Sequence, residues 1–202
     1  MSTRTIVLIV LGACALGSFG LVEVLQEVIE SNNRESPRRP AATTAAPAAP
    51  ARSLVLPSSA AGYTRQTGSA AQAVVDDMLE GMGPLAQAAT PKAGLYAKGG
   101  EEFIFLGFTG TDLAKTGVPA SANATTTLVE GMFAGMGLTG QTTHPPGPLG
   151  GQVRCGKASS DGAAVQVCAW TDPSTAGLLM SPQIAVEELA AATVGLRAEA
   201  ER

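Results

Sequence analysis

His144 is the only histidine among the 202 residues, and it decides how much acid–base chemistry the sequence offers. A Ser-His-Asp triad or a Cys-His pair would need this imidazole to activate its nucleophile. His144 stands in the run Thr-Thr-His-Pro-Pro, and no Gly-x-Ser-x-Gly elbow accompanies it. The sequence therefore favours an exposed loop residue, and a hydrolase using His144 is the weakest of three functional hypotheses.

Two glycine-rich stretches resemble phosphate-binding motifs but lack the context that phosphate binding needs. Residues 151–158 (GQVRCGKA) end in Ala158, which has no hydroxyl for Mg²⁺. A predicted turn and strand follow them, where a helix N-terminus is required. Residues 135–140 (GMGLTG) follow a predicted helix instead of a strand, which argues against dinucleotide binding. Neither stretch predicts a nucleotide cofactor.

Metal chemistry also lacks ligands in this sequence. The sequence has one histidine, and we expect two of its three cysteines to form a disulfide, which leaves no zinc-type cluster. Met78, Met82, Met132 and Met136 have the spacing of core-facing helix positions, so we expect them in the core and not on copper. The sequence therefore predicts no catalytic residue, no metal and no cofactor.

The cysteines Cys155 and Cys168 carry the strongest local prediction. Asp161-Gly162 is a two-residue hairpin signal between two strand-like runs. A turn centred there places Cys155 directly opposite Cys168, in a non-hydrogen-bonded pair where side chains approach most closely. The sequence therefore predicts a Cys155–Cys168 disulfide, with two free buried thiols as the alternative.

The first 30 residues predict a membrane attachment. Thr5 to Val22 is a run of 18 residues without a charge, which as a helix would span about 27 Å. A retained single-pass anchor is the favoured interpretation. A lipoprotein lipidated at Cys14, within Leu-Gly-Ala-Cys, and cleavage at the small residues 13–15 are the alternatives. Because a disulfide belongs in an oxidising compartment, we expect the rest of the chain outside the cytoplasmic membrane.

Residues 31–53 and 54–202 differ sharply in composition. The first range is rich in Pro and Ala and predicts a disordered linker. The second has a usual single-domain length, and its 8 basic and 13 acidic residues give a charge of −5. An acidic domain of this kind excludes a nucleic-acid surface.

Hydrophobic periodicity predicts an α+β domain with an antiparallel sheet of about five strands and three helices. The runs of residues that predict these elements are a helix over 69–82, strands over 94–98 and 102–108, a helix over 121–136, two strands flanking residues 161–162, a strand over 175–180 and a helix over 182–201. Residues 107–117 and 137–151 are expected to be loops.

Several runs in the domain carry a resemblance. These are residues 146–151 (PGPLGG), 154–156 (RCG), 161–162, 167–172 (VCAWTD) and 175–177 (TAG). They resemble a group of uncharacterised single-pass envelope proteins of high-GC actinobacteria, over about residues 54–200. The resemblance implies membrane attachment and the disulfide, and it implies no activity.

Three functional hypotheses follow from these observations. The first is a membrane-anchored, non-catalytic extracytoplasmic module that binds an envelope protein or lipid partner. The second is a small-ligand or lipid-binding domain of the Mog1/PsbP type, with a cleft near Tyr96, Phe108 and Trp170. The third is the hydrolase that would use His144.

Overall fold

A computed structural model describes residues 52–116, 123–160 and 163–202. The predicted anchor over residues 1–30 and all of the predicted linker except residues 52 and 53 lie outside these ranges. Within them, every helix is too short or too polar to cross a lipid bilayer.

The described residues form one eight-stranded antiparallel sheet and five helices. The elements in chain order are β1 (Ser59–Ala60), β2 (Tyr63–Gln66), α1 (Ser69–Gly81), α2 (Pro84–Ala89), β3 (Lys92–Lys98), β4 (Glu101–Thr109), α3 (Gly110–Ala114), α4 (Ala124–Gly135), β5 (Thr139–His144), β6 (Gln152–Ser160), β7 (Ala163–Thr171), β8 (Thr175–Ser181) and α5 (Val186–Ala200). The predicted fold of about five strands and three helices is therefore wrong.

The sheet has the order β1-β2-β3-β4-β8-β7-β6-β5, so β4 and β8 lie at its centre. All seven residues of β8 are buried, as are the apolar residues 103–106 of β4. A strand with apolar residues at successive positions needs cover on both faces. The chain provides that cover with helices on both sides of the sheet.

One face of the sheet packs against α1 to α4, and we call it the α4 face. Its core contains Leu106, Phe108 and Leu178 from the strands and Val129 and Phe133 from α4. The opposite face, the α5 face, packs against α5 and the segment that enters the domain. The side chains alternate between the two faces along each strand, which gives two separate cores from one sheet.

The two ends of the domain lie side by side. The backbone N–H of Ser53 donates to the carbonyl of Arg202, and the N–H of Arg202 donates back, at 2.9 and 3.1 Å. The N–H of Val55 donates to the carbonyl of Ala200 at 2.9 Å. The domain therefore begins next to the end of α5.

The hairpin of β6 and β7 has the predicted register. Cys155 faces Cys168, their Cα atoms are 4.0 Å apart, and a disulfide joins them. Both residues are fully buried beneath α5. The predicted disulfide is confirmed; the turn residues 161–162 lie outside the described ranges.

Five short or polar elements, namely β1, β2, β5, α2 and α3, were not predicted from the sequence. Residues 137–151, predicted as loop, contain β5, whose side chains are all exposed or half-buried. Such a strand has no apolar alternation for a sequence to reveal. Residues 107–117, also predicted as loop, contain the end of β4 and the five residues of α3.

Candidate binding site

The three residues of the predicted cleft do not come together. Phe108 pairs with Ala176 of β8, and Trp170 pairs with the next residue, Gly177. Successive positions of a strand point to opposite faces, so Phe108 lies on the α4 face and Trp170 on the α5 face. Tyr96 lies on the α5 face as well.

Tyr96 and Trp170 belong to a filled core. The Tyr96 ring stacks on Phe103 with centroids 5.2 Å apart, and its hydroxyl donates to the carbonyl of Pro57 at 2.9 Å. Burial raises the pKa of Tyr96 to about 12. The Trp170 ring stacks on Phe105 at 5.6 Å, and its indole N–H donates to Thr175 at 3.3 Å. These contacts leave both rings without an exposed surface.

His144 ends β5 and is half-buried. Its Nε2 lies 2.9 Å from the hydroxyl of Thr142, two residues earlier on the same strand. In the parts of the chain that the structure describes, no three His, Cys, Asp or Glu side chains are grouped to hold a metal ion. The hydrogen bond of His144 is thus to a threonine of its own strand, which is not the arrangement of a Ser-His-Asp triad.

Four charged side chains meet where the domain begins and ends, and we call them the buried ionic cluster: Arg52, Asp172, Arg197 and Glu201. Arg197 forms an ion pair with Asp172, and the Nε of Arg197 lies 2.8 Å from Glu201 Oε1. Arg52 Nη1 lies 2.8 Å from Glu201 Oε2 and 3.2 Å from Asp172 Oδ2. Arg197 is fully buried, and the side chain of Glu201 is 1 % exposed.

The buried ionic cluster is closed by further hydrogen bonds. Burial of Asp172 alone would raise its pKa. The backbone N–H groups of Ser174 and Thr175, the Thr175 hydroxyl and Arg197 outweigh this and lower the pKa below its usual value. Arg197 also donates to the carbonyl of Gly150. The carboxylates and guanidinium groups of the cluster are paired with one another, so the cluster holds the two ends of the described domain together and offers no reactive group.

A depression opens on the α4 face, between α4 and the strands β6 and β7. It has a volume of 220 Å³, which includes its open mouth. Its lining residues are Thr126, Val129, Glu130, Gln152, Arg154, Ala169 and Thr171. It arises because α4 packs over β8 and β7, so the outer part of this sheet face, towards β5, lies beyond the helix.

Arg154 is the only basic residue of the depression and lies on its β5 side. Its guanidinium lies 5.5 Å from the centre of the Phe133 ring, and it donates to Gln141 of β5. Its Nη1 lies 3.5 Å from Glu130, whose side chain is 59 % exposed. Because Arg154 is itself 30 % exposed, its positive charge is held in place and remains accessible to a partner.

The fold and this depression define a single antiparallel sheet with helices on both faces and a disulfide in one core, and among the described residues its edge strand β5 has β6 as its one neighbour. Neither a protein-family model, nor a curated protein, nor a solved structure matches this chain. The candidate site therefore depends on its own geometry. The site at the depression was not predicted from the sequence, because Arg154, Glu130 and Gln141 come together only when β5 lies beside β6.

Proposed function

We propose that this protein is a membrane-tethered, extracytoplasmic module that binds a partner protein without catalysis. The observation that carries the proposal is the open depression, in which the accessible Arg154 lies beside β5, a strand of exposed residues. A fixed, accessible guanidinium next to an exposed strand suits recognition of another polypeptide.

The size of the depression favours a macromolecular partner. Pockets for small ligands usually enclose about 300–1,000 Å³. Without its open mouth the depression encloses only about 10 Å³, room for about one water molecule. The small-ligand or lipid-binding alternative gains no support from Tyr96, Phe108 and Trp170, because all three are at most 1 % exposed in filled cores.

The proposed location rests on the disulfide and on the sequence of the N-terminal region. The Cys155–Cys168 bridge supports an oxidising compartment. The uncharged run Thr5–Val22 supports attachment to the cytoplasmic membrane, with lipidation at Cys14 as the alternative. The resemblance to actinobacterial envelope proteins supports the same placement.

Site-specific photo-crosslinking on intact cells tests the proposed function. A benzophenone amino acid replaces the exposed Gln152, which lines the depression. The matched control carries the same amino acid at the exposed Gln72 on α1. We expect a discrete heavier adduct from position 152 and none from position 72. No adduct at 152, or the same adducts from both positions, would contradict a binding site at the depression.

A further inference from the structure

We propose that the outer edge of β5 accepts an extended segment of the partner as an added strand. The segment carries carboxylates at alternate positions, and they bind Arg154. This inference rests on the proposed function, since it specifies how the partner is held at the same site. The partner segment is thus an extended acidic peptide.

The edge formed by β5 is open. In the described part of the chain β5 pairs only with β6, and it is the last strand of the sheet on that side. Its pairing with β6 is irregular between Thr139 and Thr142, so the regular part of this edge is Thr142–His144. These three residues include no proline, lysine or acidic residue, which are common means of blocking an edge. The other outer strand, β1, has only two residues. The sheet therefore offers β5 for strand addition.

The disulfide fixes which backbone groups of β5 point outwards. Cys155 and Cys168 form a non-hydrogen-bonded pair, so the backbone N–H and C=O of Cys155 point towards β5. Thr142, the partner of Cys155 on β5, turns its own groups inwards. By alternation Thr143 turns its N–H and C=O to the open side. Thr143 therefore supplies the hydrogen bonds for an incoming strand.

The charge beside this edge selects an acidic segment. Thr143 pairs with Arg154, so the two side chains lie on the same face of the sheet. A strand added to β5 lies about 10 Å from β6, a span that an arginine and a glutamate bridge together. Every second side chain of that strand points to the α4 face. A segment with alternate acids therefore places its carboxylates near Arg154.

A second copy of this chain is a poorer occupant. Pairing of β5 with β5 would bring together two strands without a carboxylate. An acidic segment of another protein satisfies Arg154, whose Glu130 contact of 3.5 Å is long and exposed.

Two fluorescent octapeptides of equal length test the inference by anisotropy with the purified protein. One is the alternating peptide TETETETE, and the other is TQTQTQTQ, in which neutral amides replace the carboxylates. We expect the alternating peptide to bind with a dissociation constant below about 1 mM, and the amide peptide at least about tenfold more weakly. Binding of the alternating peptide is expected to slow hydrogen exchange at the Thr143 amide and to weaken with added salt.

Variants of the edge separate strand addition from simple charge attraction. Thr143→Pro removes the outward N–H and leaves the bonds to β6, so we expect at least about a tenfold loss of binding. Thr143→Ala keeps the N–H and is the matched control. Arg154→Gln is expected to weaken binding of the alternating peptide similarly, and circular dichroism verifies the fold of each variant.

The inference fails if the alternating peptide does not bind, if both peptides bind equally, or if Thr143→Pro binds as the unaltered protein does. A concentration-dependent dimer lost in Thr143→Pro would show that the edge accepts a second copy, and would also overturn it. Crosslinking from position 152 that persists in Thr143→Pro would leave the proposed function standing and remove strand addition alone.

Discussion

Trp170 leaves no room for a side chain at Gly177, its pairing partner on β8. A Cβ added at Gly177 would overlap the indole ring, which is fully buried against Phe105. The absence of a side chain at one position thus lets the largest aromatic residue of the sheet lie flat beside it.

We expect Gly177→Ala to lower the free energy of unfolding by about 2 kcal/mol, because the ring has no free space into which it can move. Urea denaturation followed by tryptophan fluorescence measures this change. Gly110→Ala is the matched control, since an added Cβ there lies at an ordinary 3.5 Å from its nearest neighbour. Equal stability of Gly177→Ala and the unaltered protein would contradict the packing described.

The buried ionic cluster makes stability depend on pH. The pKa of Asp172 is lower in the folded protein than the usual value of about 3.9, so the folded state binds fewer protons there than the unfolded chain. The stabilisation is therefore complete above about pH 4 and is lost as the pH falls through the lowered folded pKa.

We expect Asp172→Asn to cost about 3 kcal/mol at pH 7, because Arg197 then loses a buried charged partner. The variant is also expected to lose less stability between pH 5 and pH 3 than the unaltered protein does. Urea denaturation at several pH values measures both effects. Asp76→Asn on the exposed side of α1 is the control, with a change within about 0.5 kcal/mol. Identical pH profiles for Asp172→Asn and the unaltered protein would refute this account.

Residue-scale sites were the least predictable from sequence. Arg52 and Asp172 are 120 positions apart in the chain, and Arg52 and Glu201 are 149 apart. No local pattern links such positions, so the buried ionic cluster emerges only from the fold. The disulfide was predictable because its two residues share one hairpin, whose register a single turn sets.

Element prediction succeeded where burial leaves a periodic pattern. The helix predicted over residues 69–82 is α1, Ser69–Gly81, and the strand predicted over 102–108 is β4, Glu101–Thr109. α1 presents apolar residues at helical spacing, and β4 presents a continuous apolar run, which is typical of a strand covered on both faces. β5 left no such pattern, because its side chains pack against neither core.

The sequence contains a helix-capping signal for the short helix α3, although this helix was not predicted. Thr109 and Asp112 have the spacing of a capping box, with an acid three residues after the N-cap. The Thr109 hydroxyl accepts a hydrogen bond from the Asp112 N–H at 3.1 Å and donates to its carboxylate at 2.6 Å. The cap thus ends β4 and begins α3 at one residue.

Thr109→Ala is expected to lower the free energy of unfolding by about 1 kcal/mol, the usual cost of a lost N-cap. Thr109→Ser keeps the hydroxyl and should retain most of the stability. Thermal unfolding monitored by circular dichroism compares the two variants. If alanine and serine are equally tolerated, the cap contributes nothing to stability.

At the scale of the whole molecule, the proposed tether separates a membrane segment from one folded domain. The favoured anchor over Thr5–Val22 and the lipidated Cys14 make different predictions for the mass of the membrane-bound protein. We expect the protein to stay in the membrane fraction after an alkaline carbonate wash with residues 1–13 still attached, because an 18-residue apolar helix suffices to span. Loss of residues 1–13 together with an acylated Cys14, seen by mass spectrometry of the intact protein, would favour lipidation.

A chain that begins at Arg52 is the control for this experiment. It retains every residue of the domain that the structure describes and lacks the uncharged run. It is expected to leave the membrane fraction, because it lacks the apolar run that would hold it there. Retention of this shorter chain on membranes would place the attachment in the domain itself.

The adjacency of Ser53 and Arg202 has a mechanical consequence. If tension were applied between the two ends, the three backbone hydrogen bonds that join residues 53–55 to residues 200–202 would open one after another, as a zipper does. The ion pairs of Arg52 with Glu201 and Asp172 lie at the same junction and would have to break together with these hydrogen bonds. The central strands β4 and β8 would be loaded only after α5 had separated from the sheet. The contacts between residues 53–55 and 200–202 would then be the first part of the domain to open under tension.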